Sequence, residues 1–125
     1  MNRKIIIVDD DPTSNYISEF ILSSVHLNAD IISFINPIEA LEKLPEMNTT
    51  PDSIILLDLN MPEMNGYEFV DSLEELGLDC QVVILTCSKN LMDREYSKKY
   101  EKIKGFLSKP LTQDNIDVFA ELSKV

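Results

Sequence analysis

Five short, almost wholly apolar runs recur along the chain. They are Ile5–Val8, Ile31–Ile35, Ile54–Leu57, Val82–Leu85 and Gly105–Leu107. Each run is too short for a helix, and continuous rather than alternating hydrophobicity is typical of a parallel strand that is covered on both faces. We therefore predict five buried strands, with the segments between them as covering helices.

The segments between these runs carry the signals of helices. From Pro12 to Val25 the apolar positions keep the three- and four-residue spacing of an amphipathic helix, and Asp11 is placed to cap its first turn. The apolar positions of this first helix are Tyr16, Ile17, Phe20, Ile21 and Val25. Further helices are predicted from Asn36-Pro37 to Leu44, from the cap Asn65 to about Leu76, from the cap Ser88 to near Ile103, and from Thr112 onward.

Five strands that alternate with five helices predict an α/β fold with a doubly wound parallel sheet. Right-handed crossovers place the helices on both faces of such a sheet. We expect a single domain over residues 1–125, because no segment is left for a second domain, a repeat or a long linker. Ligands of these sheets bind beyond the carboxyl ends of the strands, so the residues that follow each strand matter most.

The charge balance narrows the classes of partner. The chain has 11 Lys and Arg against 22 Asp and Glu, a net charge of -11 that argues against direct nucleic-acid binding. The positive residues concentrate between 89 and 104, which is either a solvated helix or a partner face. Cys80 and Cys87, in a chain without a recognisable signal peptide, lead us to expect reduced thiols and a cytoplasmic location. No apolar run approaches the roughly 20 residues of a membrane helix.

Acidic and polar side chains follow the ends of four predicted strands. Asp9, Asp10 and Asp11 follow the first strand, Asp58 follows the third, Thr86 the fourth and Lys109 the fifth. Acids that converge on one sheet edge resist desolvation unless a hard cation takes their oxygens, and a site of carboxylates, carbonyls and water suits Mg²⁺. A lysine and a hydroxyl beside them would clamp a phosphoryl group, and the remaining carboxylate is a candidate nucleophile.

Each of these residues also has an ordinary structural explanation when it is taken alone. The three consecutive aspartates could merely favour the dipole of the first helix, and Asp58 could be a loop acid. Thr86 could bond to backbone, and Lys109 could be solvated. Their shared position at one sheet edge is what favours a functional site.

The same residues match the pattern of a known family. The chain reads Ile-Val-Asp9-Asp10, then Leu-Leu-Asp58-Leu-Asn-Met-Pro-Glu-Met-Asn-Gly66, then Ile-Leu-Thr86, then Phe-Leu-Ser-Lys109-Pro110. This order closely resembles the receiver domain of two-component response regulators over essentially the whole chain, and the block from Asp58 to Gly66 is its most specific part. The resemblance implies the flavodoxin-like strand order 2-1-3-4-5, as in the chemotaxis receiver.

The resemblance also implies roles for the acidic residues. Asp58 would be the phosphoacceptor, which takes a phosphoryl group from a histidine of a sensor kinase or a histidine phosphotransfer protein. Asp10, Asp58 and the backbone carbonyl of Asn60 would hold Mg²⁺, with Asp9 acting mostly through a bound water.

The remaining implied roles concern the switch. Lys109 would pair with one phosphoryl oxygen and Thr86 with another, Phe106 would be the aromatic switch, and the Lys109-Pro110 bond would be cis. The readout surface would be the fourth helix, fifth strand and fifth helix, facing a downstream protein. The phosphoryl donor would dock around the first helix, from Pro12 to Ile21. A monomer and a phosphorylation-dependent dimer are both compatible with this pattern.

Other classes of protein fit less of the chain. Asp9-Asp10-Asp11-Pro12-Thr13 also matches the signature of haloacid-dehalogenase-like phosphatases, with Asp9 as nucleophile, but that reading leaves the block after Asp58 unexplained. A pseudo-receiver that is never phosphorylated would usually lack one of the expected residue types. The three glycines form no phosphate loop, and the lone His26 lies away from the active edge, against a nucleotide-binding protein and a Ser/His/Asp hydrolase.

The sequence carries no second domain that would indicate what the domain acts on downstream. The chain ends at Val125, soon after the predicted fifth helix, without a segment for an effector domain. We expect a stand-alone messenger or relay intermediate rather than a piece of a longer protein.

Overall fold

The fold is built on one parallel five-stranded sheet. The structure is a computed structural model that describes residues 3–24, 29–87, 91–112 and 114–115. The strands are β1 Arg3–Val8, β2 Ala29–Phe34, β3 Ile54–Leu57, β4 Gln81–Thr86 and β5 Ile103–Ser108. Their order in the sheet is β2-β1-β3-β4-β5, and every neighbouring pair is parallel. The predicted number of strands and their flavodoxin-like order are confirmed.

The helices follow the predicted alternation. They are α1 Pro12–Ser24, α2 Pro37–Lys43, α3 Gly66–Glu75 and α4 Leu91–Ser97, and a short 3₁₀ turn, Leu44–Glu46, follows α2. Of the predicted fifth helix, residues 114 and 115 are described and are helical. The predicted features at Val25, His26, Ser88, Lys89 and residues 116–125 lie outside the described residues.

The predicted helix caps are confirmed where the structure describes them. Asp11 accepts a hydrogen bond from the Thr13 amide, and the Asn36 side chain accepts from the amides of Ile38 and Glu39. Asn65 and Glu68 form a reciprocal capping box at the start of α3. These bonds satisfy helix amides that have no partner within the helix.

The fourth helix is shorter than predicted. It ends at Ser97 and not near Ile103, because residues 98–100 continue in tight turns. The amides of Lys98, Lys99 and Tyr100 each donate to the carbonyl three residues before them. Ile103 is the first residue of β5 and pairs with Val82 of β4, so the chain has to leave the helix before that point.

The buried face of α1 is only partly the predicted one: Ile21 packs against the core, but other predicted positions are exposed. Tyr16 and Phe20 are 69% and 65% exposed, whereas Asn15, Ser18 and Leu22 are the buried residues of the helix. Burial of a polar group costs less when the group is hydrogen-bonded, as the Asn15 NH₂ group is. The two side-chain hydrogen bonds of Asn15 to backbone carbonyls therefore explain why periodicity alone missed this part of the buried face.

The core consists of two clusters on opposite sides of the sheet. Ile6, Val8, Ile55, Leu57 and Val82 belong to one cluster, which includes Phe69, Val70 and Leu73 of α3. Ile5, Ile7, Ile54, Leu56 and Val83 belong to the other, which includes Leu22 of α1. Successive residues of a strand point to opposite faces, so a strand that is covered on both sides needs continuous hydrophobicity. This arrangement confirms the reasoning that located the strands.

None of the helices in the described ranges is long and apolar enough to span a bilayer.

Candidate functional site

Three carboxylates meet at the carboxyl end of the sheet. β1 and β3 are neighbours whose last residues, Val8 and Leu57, pair in register, and the Asp58 amide donates to the Val8 carbonyl at 3.0 Å. One carboxylate oxygen from each of Asp9, Asp10 and Asp58 lies within 4.8 Å of the other two. Asp9 is 3% exposed and Asp58 6% exposed, while Asp10 is half-buried. The predicted convergence of these acids is therefore present.

Lys109 bridges two of the acids. Its Nζ atom lies 2.6 Å from Asp9 Oδ2 and 3.4 Å from Asp58 Oδ2. The residue follows β5, its amide donates to the Thr86 carbonyl at 2.9 Å, and the Lys109-Pro110 bond is cis, as the resemblance implied. A single ammonium group thus partly neutralises a group of three acids.

The charges around Asp58 oppose one another. Burial raises the pKa of Asp58 above its ordinary value of 3.8, the Lys109 ammonium lowers it, and the neighbouring Asp9 raises it again. The pKa of Lys109 is also raised above its ordinary 10.5: burial lowers it, but the hydrogen bond to Asp9 and the charges of Asp58 and Asp9 outweigh that effect. The arrangement leaves negative charge that a second cation would balance.

The donor set fits a hard divalent cation. All three side chains offer carboxylate oxygens, which Mg²⁺ prefers, and none offers nitrogen or sulfur. The residues that could hold such an ion are therefore Asp9, Asp10 and Asp58.

The third consecutive aspartate has a different task. Asp11 caps α1 through its side chain, and its amide donates to Asp9 Oδ1 at 3.0 Å. Asp9 thus accepts from Asp11 on one oxygen and from Lys109 on the other. The triplet divides into two residues of the acid cluster and one cap.

Thr86 lies at the same edge of the sheet. It is the last residue of β4, pairs with Ser108 of β5 and is fully buried. The next residue, Cys87, is exposed, whereas Cys80 at the other end of β4 is buried, and both thiols are free. Burial raises the pKa of Cys80 from 9.0 to about 11.

The loop between β3 and α3 is tightly packed against the phosphoacceptor candidate. The Asn60 amide lies 3.4 Å from Asp58 Oδ1, and the Gly66 amide donates to the Leu59 carbonyl at 2.8 Å. A Cβ atom on Gly66 would lie 2.9 Å from the Asp58 carbonyl oxygen and 3.0 Å from Leu59 Cα. The sequence block that ends in Gly66 therefore needs glycine because the helix start approaches the loop so closely.

Phe106 lies on β5 opposite Ile84 of β4. The ring is half-buried and packs against the core cluster that includes α3. The Arg94 guanidinium lies over it, 5.4 Å from the ring centroid, and Arg94 Nη2 donates to the Phe106 carbonyl at 3.3 Å. The residue thus joins α4 to β5, the edge strand that β4 separates from the strands followed by the acids.

Asn15 is not among the predicted site residues, although its side chain contacts the acidic loop. Its side-chain Nδ2 donates to the Asp9 carbonyl at 2.9 Å and to the Phe34 carbonyl at 3.4 Å. A polar side chain in the second turn of the helix that directly follows the acids is the signal that could have found it.

The chain matches the sequence pattern of a known protein family. The sequence model of the response regulator receiver domain matches residues 5–120. The chain belongs to this family. As a receiver domain it is a signalling domain of two-component phosphorelays, a class that works with histidine kinases, and not a classical enzyme. The phosphatase alternative is not favoured.

Two curated relatives illustrate the likeness. The receiver is 32% identical over 92 residues to the transcriptional regulatory protein CiaR of Streptococcus pneumoniae. The aligned residues cover 73% of this chain but only 38% of CiaR. It is 27% identical over 117 residues to the protein PilG of Pseudomonas aeruginosa, covering 90% of this chain and 81% of PilG.

A solved structure shows the same fold. The chemotaxis response regulator CheY4 of Vibrio cholerae superposes with a TM-score of 0.78 at 21% identity, over 98% of this receiver and 99% of that chain. The expected chemotaxis-receiver-like architecture is confirmed.

Proposed function

We propose that this receiver accepts a phosphoryl group on Asp58 from a phosphohistidine of a sensor kinase or a histidine phosphotransfer protein, in a reaction that depends on Mg²⁺. The observation that carries the proposal is the cluster of Asp9, Asp10 and Asp58 around the Lys109 ammonium. An Asp58 oxygen forms the new P–O bond as the P–N bond of the donor breaks; the electron pair of that bond stays on the imidazole nitrogen, which takes a proton from solvent.

Mg²⁺ would be held by the carboxylates of Asp10 and Asp58 and by the backbone carbonyl of Asn60, with Asp9 close by. When bound, the ion offsets the negative charge that the incoming phosphoryl oxygens add to the acid cluster. The proximity of the three carboxylate oxygens supports this assignment.

The chain's own residues prepare Asp58 for the transfer. Its carboxylate is buried, and Lys109 already lies 3.4 Å from Asp58 Oδ2, so the ammonium is in reach of a group that is attached there. The Thr86 hydroxyl, at the end of the neighbouring strand, is the proposed donor to a second phosphoryl oxygen. Preorganised donors of this kind stabilise charge that develops during transfer.

The switch would run from Thr86 to Phe106 and on to α4, β5 and the fifth helix. The contacts of Arg94 with the ring and carbonyl of Phe106 support this route, because they tie the ring to α4. A groove of about 300 Å³ lies between α4 and β5, with Arg94, Lys98, Lys104 and Phe106 among its lining residues. We propose this face as the readout surface for a downstream protein.

The donor would dock on α1, beside the acid cluster. The exposed apolar side chains of Tyr16, Ile17 and Phe20 support this location, because they offer contact area on the helix that follows Asp9 and Asp10. These three apolar positions of α1 thus fall within the segment proposed to meet the donor.

The test is the intact mass of the receiver after incubation with acetyl phosphate and MgCl₂. We expect a gain of one phosphoryl group that chelation of Mg²⁺ prevents and that Asp58→Asn abolishes. The matched control is Asp52→Asn, which removes an exposed carboxylate on the loop before β3, and this variant should gain the same mass as the wild type. An unchanged wild-type mass, or a gain that survives Asp58→Asn, refutes the proposal.

The same samples separate the phosphatase alternative. The Asp9 oxygens are held more tightly than those of Asp58: they lie 3.0 Å from the Asp11 amide and 2.6 Å from Lys109 Nζ, whereas both corresponding contacts of Asp58 are 3.4 Å, so Asp58 is the more available nucleophile. A phosphoryl group found on Asp9, or turnover of a phosphomonoester that Asp9→Asn abolishes, would support that alternative instead.

A further inference from the structure

One buried amide side chain connects α1 to the acidic loop. Asn15 is 3% exposed, and its Nδ2 donates to the carbonyl of Asp9 at 2.9 Å and lies 3.4 Å from the carbonyl of Phe34. The Asp9 amide donates to the same Phe34 carbonyl at 3.1 Å. The ends of β1 and β2 are therefore tied to the helix through a single NH₂ group.

This contact holds the backbone of the acidic loop at the Asp9 carbonyl. The Asp9 carbonyl belongs to the planar peptide unit that joins Asp9 to Asp10, so fixing its oxygen also fixes the plane from which Asp10 departs. The Asp9 side chain is separately held by the Asp11 amide and Lys109. Asn15 thus holds the backbone of the loop while other groups hold the Asp9 carboxylate.

The other end of the same side chain argues against a purely stabilising role. Because two carbonyl oxygens require the NH₂ group on their side, Oδ1 has to point away from them, and it is buried with no hydrogen-bond partner among the described residues. A buried acceptor without a donor destabilises the folded state. The side chain is therefore explained better by what its NH₂ group positions than by the stability that it adds.

We propose that Asn15 is a positioning residue for the metal site: its amide orients the Asp9–Asp10 peptide so that the carboxylates of Asp9 and Asp10 face Asp58. The inference rests on the proposed function, in which these acids hold Mg²⁺. Residues that orient metal ligands without touching the metal typically change metal affinity by about 10- to 100-fold when they are replaced. We expect a change at the lower end, because Asn15 acts on the backbone and the carboxylates themselves remain.

The test compares Asn15→Ala and the milder Asn15→Ser with Leu22→Val. Leu22 is buried on the same helix, about two turns beyond Asn15, and belongs to the core cluster on that side of the sheet. Its variant therefore reports the effect of loosening α1 without touching the acidic loop. Binding of MgCl₂ is measured by titration calorimetry, and binding of Mn²⁺ by electron paramagnetic resonance, at a temperature where circular dichroism shows all four proteins folded.

We expect both Asn15 variants to bind Mg²⁺ and Mn²⁺ about tenfold more weakly than the wild type, and Leu22→Val to bind them as the wild type does. Phosphorylation by acetyl phosphate should need about tenfold more Mg²⁺ for half its maximal rate and should approach the wild-type rate when Mg²⁺ saturates. A lower Tm with unchanged metal affinity shows that Asn15 is only structural and overturns the inference. In that case the wild type still gains mass at Asp58; if the wild type neither binds Mg²⁺ nor gains mass, the proposed function itself has failed.

Discussion

Gly66→Ala tests how closely the start of α3 must approach the loop that carries Asp58. The added methyl carbon would meet the Asp58 carbonyl oxygen at 2.9 Å, Leu59 Cδ2 at 2.9 Å and Leu59 Cα at 3.0 Å. The Leu59 methyl group belongs to a buried side chain, and the other two atoms are backbone, so no exposed group can simply rotate away. Either the helix or the loop has to move, by roughly 0.5 Å, to restore an ordinary contact.

The cost follows from this overlap. Forcing an extra carbon into a packed interior typically costs about 1–3 kcal/mol, which corresponds to a fall in Tm of roughly 4–12 °C for a chain of this size. Displacement of the Asp58 backbone should also slow phosphorylation. A misplacement of about 1 Å can cost about 100-fold in rate, so a shift of half that size suggests roughly tenfold.

The assay combines thermal unfolding with the rate of mass gain from acetyl phosphate and Mg²⁺. Gly77→Ala is the matched control, because its Cβ would meet nothing within 4 Å while its φ of 65° is unfavourable for alanine. That variant should lose about 1 kcal/mol and keep the wild-type phosphorylation rate. A Gly66→Ala protein that is as stable and as quickly phosphorylated as the wild type would refute the steric argument.

Three further predictions concern charge and packing. Burial raises the pKa of Asp58 above 3.8, so ionisation of this carboxyl group opposes folding as the pH rises past that value. Without metal, Asp58→Asn should therefore have a higher Tm than the wild type at neutral pH. Calorimetry should show that this gain in Tm shrinks as the pH falls toward 3.8. Lys109→Met leaves two buried acids without their shared cation, so its free energy of unfolding in denaturant should fall by about 3 kcal/mol. MgCl₂ should then raise the Tm of this variant more than that of the wild type. Equal increases in Tm would contradict this prediction. The Tyr67 hydroxyl donates to the Asp93 carbonyl at 2.6 Å, so Tyr67→Phe should cost about 1 kcal/mol. Burial raises the pKa of Tyr67 from 10.0 to about 12. The difference in unfolding free energy between the wild type and Tyr67→Phe should therefore stay constant below pH 10.0 and disappear as the pH rises through 12. A difference that stays constant across that range would contradict a stabilising role of the protonated hydroxyl.

The strands could be predicted from the sequence because their environment is extreme. Ile54–Leu57 is buried on both faces at every position, and only a central parallel strand demands that of four consecutive residues. The site followed from the strands: once Asp9 and Asp58 each came directly after a strand end, parallel geometry placed them at one edge. The sequence pattern could therefore predict which residues converge there, although not how Lys109 divides its contacts between two of them.

The helices were harder to predict because their signals were ambiguous. α1 carries apolar residues on more than one side, and Asn15 marks the side that packs on the sheet. Its NH₂ group bonds to the carbonyls of Asp9 and of the more distant Phe34, which apolar periodicity does not detect. The end of α4 was missed for a related reason. The pairing of Ile103 with Val82 is a contact between distant segments, and it overrides the local preference to continue the helix.

The unequal exposure of the two thiols gives this receiver a natural attachment point for a reporter. Cys80 is buried with its pKa raised to about 11, so a maleimide dye at neutral pH should react with the exposed Cys87 alone. The label would sit one residue from Thr86, and no substitution would be needed to place it there. We expect fluorescence from such a label to report the proposed phosphorylation of Asp58 in real time.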